Sequence, residues 1–332
     1  MEVVRTFEYV RALDIDDAVA AVTADPDSSF LAGGTTQLDL MKDGVLVPSK
    51  LVDITRLPVR GVAVNDGILH IGALTTMEEL AADPSVRAGL PFVREALLLG
   101  ASVQLRNMAT IGGNLLQRTR CRYFRDPAVA ACNKREPGTG CAAMNGNNRM
   151  HAILGTSEHC IATHPSDLAV ALVAADAEVQ TRGAERPRSI PLTDFFYQPG
   201  DTPDKENVLE HGELITGVDV PVLPEHARSH YLKVRDRASY EFALTSSAVA
   251  LVVEDGTIRY ARVALGGVGT LPWRAQAAEQ ILQGAPTSID TFRRAAEAAV
   301  EGARTRSGNA FKVELAKRTV VRALETVSGA TT

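Results

Sequence analysis

The sequence predicts an α+β protein built as two mixed lobes followed by a small α+β domain with an antiparallel sheet. Three observations carry this. Short apolar strands and amphipathic helices alternate over the first two-thirds of the chain. Pro221 and Pro224 then interrupt the pattern. After them come two long strands and then three helices, the order expected when helices cover one face of an antiparallel sheet. The boundaries read as 1–56 for the first lobe, 57–222 for the second and 223–332 for the last domain.

In the first lobe, 16–24 reads as a helix, with Ala18, Val19 and Val22 at helical spacing. The apolar stretch 29–32 reads as a strand ending at Gly33-Gly34, 35–41 as a helix start and 51–54 as a strand. In the second lobe, 68–71 alternates like a strand. Thr75, with Glu78 three residues on, has the pattern of a capping box for a helix over 75–80. A helix over 92–100 ends at a glycine, and 110–115 reads as a glycine-containing turn. Residues 118–160 hold no period, and a structureless span of that length needs something to order it. Beyond it lie a helix at 168–174 and strands at 177–181 and 217–220. The last domain offers strands at 246–253 and 260–265 and helices at 275–282, 289–303 and 310–325.

The totals bound the function. The chain has 332 residues, 45% apolar and 23% charged, as a soluble globular protein does. A net charge of -5 argues against a nucleic-acid partner and gives no reason to expect an anionic membrane surface. MEVVRTFEYV at 1–10 has no basic segment followed by an apolar one, and no apolar run approaches the roughly 18 residues of a membrane span. The default expectation is the cytoplasm, with export on a partner's leader left open.

The segment Ala32-Gly33-Gly34-Thr35-Thr36-Gln37-Leu38 joins a strand to a helix. Two glycines allow a sharp turn and close approach of a ligand, and free N–H groups at a helix start suit a pyrophosphate. It is not the G-x-G-x-x-G fingerprint, and a strand-to-helix turn needs glycine for geometry alone. A similar arrangement recurs at Thr110-Ile111-Gly112-Gly113-Asn114.

With these loops in view, the chain resembles the flavin subunit of the xanthine dehydrogenase (molybdenum hydroxylase) family. The matching stretches are LAGGTTQLDLMK at 31–42, LVDITRL at 51–57, HIGALTTMEEL at 70–80, VQLRNMATIGGNL at 103–115, HPSDLAVAL at 164–172 and GELITGVDVP at 212–221. The resemblance implies a vanillyl-alcohol-oxidase-type FAD-binding fold. It assigns 32–37 to the pyrophosphate side of FAD, with Leu38 beside it, and Thr110, Gly112, Gly113 and Asn114 to a second flavin-contacting turn. Ser166 and Asp167 resemble a serine–aspartate pair whose carboxylate accepts hydrogen bonds from cofactor hydroxyls. Asp167 also suits a helix N-cap. Leu214, and Lys233 to Tyr240, resemble segments that approach the flavin ring. There Lys233 would stabilise an anionic reduced flavin and Tyr240 would pack on it, the alternative being an exposed charged strand edge. With no histidine or cysteine in the Gly33 loop, the flavin is expected to be noncovalent.

All four cysteines, Cys121, Cys132, Cys141 and Cys160, fall inside the irregular span, spaced C-x10-C-x8-C-x18-C. That is neither a zinc-ribbon nor a ferredoxin spacing. Arg118, Arg120, Arg122, Arg125, Lys134, Arg135 and Arg149 surround them, as a net-negative iron–sulfur centre requires. In the common family form the GGN turn leads almost at once to the serine–aspartate motif, so 118–160 is an insertion. It resembles the subclass with a [4Fe-4S] cluster in the flavin subunit, as in bacterial periplasmic aldehyde oxidoreductases. Zinc and disulfides remain alternatives. His151, His159 and His164 read as solvated loop residues rather than ligands.

The resemblance implies a subunit with no catalytic side chain beyond FAD. Its partners would be a molybdenum-cofactor large subunit, a [2Fe-2S] small subunit and an external electron acceptor, and the substrate an aldehyde or N-heterocycle. The rival readings are a stand-alone flavin oxidoreductase and a flavin-free assembly subunit clipped by metal.

Overall fold

The computed structural model describes residues 5–329; Met1 to Val4, part of the segment read for a leader, lie outside them. In the first part, β1 (Glu8–Arg11), α1 (Ile15–Thr23), β2 (Ser28–Leu31), α2 (Gln37–Lys42) and β3 (Lys50–Asp53) make a small parallel sheet in the order β1-β3-β2. Asp14 caps α1 by accepting from the Asp17 N–H, and Ala18, Val19 and Val22 face the sheet.

Next come β4 (Val62–Asn65), β5 (Ile68–Gly72), α3 (Met77–Ala82), α4 (Pro84–Gly89), α5 (Pro91–Leu99), α6 (Val103–Arg106), α7 (Ile111–Leu115), α8 (Arg122–Arg125) and α9 (Asp167–Ala174). They are followed by β6 (Glu178–Arg182), β7 (Pro187–Pro191), α10 (Leu192–Phe195) and β8 (Leu214–Pro221), which closes an antiparallel sheet in the order β4-β5-β8-β6-β7. The capping box sits one residue later than the sequence suggested. Thr76 and Glu79 form it, while Thr75 bonds the Gly61 backbone and Glu78 pairs with Arg106. The reason is steric register: Met77, Leu80 and Ala81 are the buried face, and that fixes where the helix begins. The segment 110–115 is a single helical turn capped by Thr110 rather than an open turn.

The last part holds β9 (Arg228–Val234), β10 (Thr245–Glu254), β11 (Thr257–Gly266), β12 (Trp273–Arg274), α11 (Gln276–Leu282), α12 (Ile289–Ala299) and α13 (Phe311–Ser328), with an antiparallel sheet ordered β12-β11-β10-β9. The helices α11–α13 cover one face, but the other is also covered. Ala248, Ala264 and Tyr231 pack into the core that contains α9, while Val249, Leu251, Val263 and Leu265 pack toward α11–α13. Hence β10 is buried along eight successive residues instead of alternating. The helix α9 is buried on every side, being packed between the C-terminal sheet and the helices α5, α7 and α10. Its N-terminus is thereby fixed next to β9. Among the described residues, no helix is long and apolar enough to cross a membrane.

Candidate functional site

The first glycine loop leaves the C-terminal end of β2. Gly34 has φ +71°, left-handed backbone that glycine adopts without strain. At Gly33 a Cβ would fall 1.8 Å from the Met108 carbonyl oxygen. The first loop therefore lies directly against the chain entering the second, and the two glycine turns are one structure. The side-chain Nε2 of Gln37 is buried without a partner. An orphaned donor costs roughly 1–3 kcal/mol, so its presence in a loop shaped for a ligand points to a ligand acceptor.

In the second loop the Thr110 hydroxyl accepts from the Gly113 N–H at 3.3 Å, and Gly112 fits against Ala73 and Ile215. The Asn114 side-chain Oδ1 accepts from the Ser166 hydroxyl at 2.5 Å, which ties this loop to α9. Ser166, not Asp167, is the N-cap of α9: its Oγ accepts from the Ala169 N–H at 3.0 Å. That leaves the Asp167 carboxylate for other partners. It accepts from the Tyr231 hydroxyl and from Lys233 Nζ, each at 2.7 Å. Lys233 also donates to the Leu99 carbonyl at 3.1 Å, and its side chain is 2% exposed, so Lys233 is a buried, paired cation rather than an exposed edge charge. Burial, and then the charge of Asp167, push the Tyr231 phenol well above its usual range, so it is a proton donor at any ordinary pH.

These groups border a cavity of about 360 Å³, lined by Thr35, Thr36, Gly113, Asn114, Asp167, Lys233 and Tyr240 among others. That is within the size range of cofactor sites. Ala32, Gly33, Gly34, Gln37, Leu38, Thr110 and Gly112 belong to the same two loops but not to this lining, and Leu38 is 40% exposed. Leu214 is buried in a core cluster with Val52, Leu57 and Leu74. Tyr240 is 57% exposed at the rim, with φ +52°. A second cavity of about 500 Å³ adjoins the first and shares Arg120, Pro165, Asp167, Glu241 and Phe242 with it. Ser166 lines this one, and Cys121 and His151 stand in its wall.

The four cysteines come together. All of them line one enclosed space of about 10 Å³, and all are free. Among the described residues, no three His, Cys, Asp or Glu side chains converge closely enough for a single ion. Burial pushes the Cys121 thiol up to about 12 and the Cys160 thiol up to about 11. The Ala162 N–H points at Cys160 Sγ, 3.4 Å away. His159 is half exposed, as expected, but His151 is not solvated: it is buried, and its Nε2 lies 3.2 Å from Cys121 Sγ. His164 is also packed, edge-on to Phe196 at 4.6 Å. Burial holds both imidazoles down at about 4. Most of the surrounding cations are engaged by carboxylates outside the insertion: Arg118 and Lys134 by Glu206, Arg120 and Arg125 by Asp39, and Arg149 by Asp236.

Residues 5–223 match the family described as FAD binding domain in molybdopterin dehydrogenase, and residues 230–327 match the CO dehydrogenase flavoprotein C-terminal domain. The chain belongs to the FAD-binding subunits of the molybdenum hydroxylase family. It is 48% identical over 323 residues to the aldehyde oxidoreductase FAD-binding subunit PaoB of Escherichia coli (strain K12), covering 96% of this chain and 98% of that one. It is 27% identical over 324 residues to the carbon monoxide dehydrogenase medium chain of Hydrogenophaga pseudoflava, covering 96% of each. The solved carbon monoxide dehydrogenase of Hydrogenophaga pseudoflava superposes with a TM-score of 0.78 at 26% identity over 99% of both chains. The chain is thus an oxidoreductase flavoprotein subunit, and its relatives include medium chains of molybdenum-dependent complexes.

In this FAD-binding subunit, sequence reasoning missed Tyr231, which holds Asp167, and Glu95, which accepts from the Tyr231 N–H at 2.7 Å and from His230 Nδ1 at 2.9 Å. No local signal marks them, because β9 meets α5 and α9 only through the sheet. Asp39 and Arg120 were also missed as a pair. The signal there was charge complementarity between α2 and the insertion.

Proposed function

We propose that this subunit binds FAD noncovalently and a [4Fe-4S] cluster. In this reading it carries electrons from a molybdenum-cofactor large subunit, through the [2Fe-2S] centres of a small subunit, to an external acceptor. The proposed substrate class is aldehydes, by analogy with the aldehyde oxidoreductase relative, with N-heterocycles second. Residues 32–38, Thr110, Gly112, Gly113, Asn114, Ser166, Asp167, Leu214, Lys233 and Tyr240 would form or back the flavin site. Cys121, Cys132, Cys141 and Cys160 would hold the cluster. The division into 1–56, 57–222 and 223–332 belongs to the same reading. Its support is that the three sheets change over between Asp53 and Val62 and between Pro221 and Arg228.

The observation that carries the cluster is the meeting of all four thiols around one space, which shares Cys121 and Tyr123 with the 500 Å³ cavity. The donor chemistry, four thiols around one space, fits a thiolate-bound iron–sulfur group. At about 10 Å³ the space is the size of one water, so the loops must part to seat a four-iron core.

When bound, FAD supplies the means to accept electrons singly and deliver them in pairs. The chain's own residues do the rest. Asp167, fixed by Tyr231 and Lys233, is a rigid acceptor for cofactor hydroxyls. The Lys233 ammonium, on the same cavity wall, favours negative charge developing there. Tyr240 and Phe242 stand at the rim, where their rings can lie against a bound cofactor.

The test is iron and acid-labile sulfide per FAD on anaerobically purified chain. About four of each per flavin is expected, as a four-iron cluster requires. Flavin with no iron, or with zinc, would reduce the insertion to a structural clip. Cys132→Ser should lose the iron and loosen the insertion; full iron and unchanged stability would remove Cys132 from the ligand set.

A further inference from the structure

Of residues 118–160, only Arg120 lines the 360 Å³ cavity, where it stands with Thr35 and Thr36 of the first glycine loop. The guanidinium is held in place from two sides. Nη1 donates to Asp39 Oδ2 at 2.9 Å, and the group lies over the Phe242 ring, 5.1 Å from its centroid. Asp39 is shared, because Arg125 donates to the same oxygen. The remaining donors of Arg120 are unspent. Among the described residues, Nε is buried without a partner and Nη2 has no acceptor. A pre-oriented guanidinium with free donors, partly removed from water and sharing its one carboxylate, is arranged to receive an anion with oxygen acceptors.

Resting on the flavin reading of this cavity, we propose that Arg120 is a ligand of the FAD phosphates, supplied by the cysteine insertion. The insertion then serves two cofactors. Arg120 directly precedes Cys121, and this stretch is pinned where the Cys121 N–H bonds the Thr119 hydroxyl at 3.2 Å and Arg125 Nε bonds the Thr119 carbonyl at 3.1 Å. Whatever moves the Cys121 backbone moves the phosphate ligand, so flavin retention depends on the integrity of the cage.

The experiment uses the full-length chain with its iron retained and its flavin stripped, titrated with FAD and separately with riboflavin, which has no phosphate. Flavin fluorescence reports binding; iron content and Tm are read on every sample. Arg120→Gln should weaken FAD binding roughly 10- to 100-fold, the loss of a charge-assisted hydrogen bond, and leave riboflavin binding unchanged. Arg122→Gln, at an exposed residue that lines only the larger cavity, should match the wild type for both ligands. If Arg120→Gln sheds iron, Arg120→Lys decides: it keeps the charge but loses the fork, so FAD should weaken less than with glutamine and riboflavin not at all. FAD affinity within twofold of wild type, or equal weakening for riboflavin, would overturn the assignment. A wild-type chain that takes up neither flavin would instead sink the reading of the cavity, and this assignment with it.

Discussion

In the C-terminal part, β10 pairs with β9 on one side and β11 on the other along most of its ten residues, and α13 lies across them for eighteen more. In residues 118–160 the only helix is four residues long, and side chains join short turn bonds in satisfying the backbone. Arg135 alone donates to the carbonyls of Tyr123, Phe124, Asp126 and Val129, with the first two at 2.9 Å. The Asn133 amide donates to the His159 carbonyl at 3.0 Å, and Lys134 reaches the Pro203 carbonyl at 2.8 Å. One region is held by periodic backbone pairing over an apolar core. The other is held by polar side chains that bridge distant turns. The first kind of order is distributed, and its failure is global; the second rests on a few residues, and its failure is local.

The largest effect should come from the distributed region. Leu265→Ala, at a fully buried position in β11, should cost roughly 3–4 kcal/mol and lower the Tm of the whole chain, with no preferential cleavage in the insertion. Arg135→Ala should cost about 2–3 kcal/mol because it leaves several carbonyls without a donor. Limited proteolysis should then concentrate in 121–160 while the C-terminal strands stay protected against hydrogen exchange. Equal loss of protection in both regions would break the contrast.

Lys312 is the exception inside the ordered region. It is fully buried on α13, and its Nζ donates to the Gly267 carbonyl at 2.7 Å. Burial, then Arg149, bring its ammonium down to about 7. Between that value and the ordinary lysine range near 10.4, the unfolded chain holds the proton that the folded chain has released, so stability should rise with pH across about 7 to 10. Lys312→Met should raise stability below pH 7 by roughly 1–3 kcal/mol and flatten that rise. Denaturant titrations at pH 6 and pH 9.5 read both; an unflattened slope would mean Lys312 keeps its charge through a counter-ion.

The smallest effect belongs to the link between the two regions. Arg149 bonds both carboxylate oxygens of Asp236, at 2.7 and 2.9 Å, but the two side chains are 45% and 49% exposed. Arg149→Ala should change stability by less than about 1 kcal/mol, an effect that salt should abolish.

The sequence by itself determined the elements with strong local periodicity or glycine turns, and left β1, β4, α4, α6, β7, α10, β9 and β12 unmarked. Ala18, Val19 and Val22 mark α1, the Gly33 and Gly112 turns mark the loops, and the clustered cysteines mark the insertion. Where two local signals compete, packing chose between them. Thr76 rather than Thr75 caps α3, and Ser166 rather than Asp167 caps α9, because the buried faces of those helices set their starting points. Only the tertiary structure decided that Asp167 answers to Tyr231 and Lys233, that Gly33 must clear Met108, and that Arg120 crosses from the insertion to Asp39. Those pairs are separated by 64, 66, 75 and 81 positions, and no short-range pattern reports on partners brought together by sheets and helices packing on both faces of a shared core.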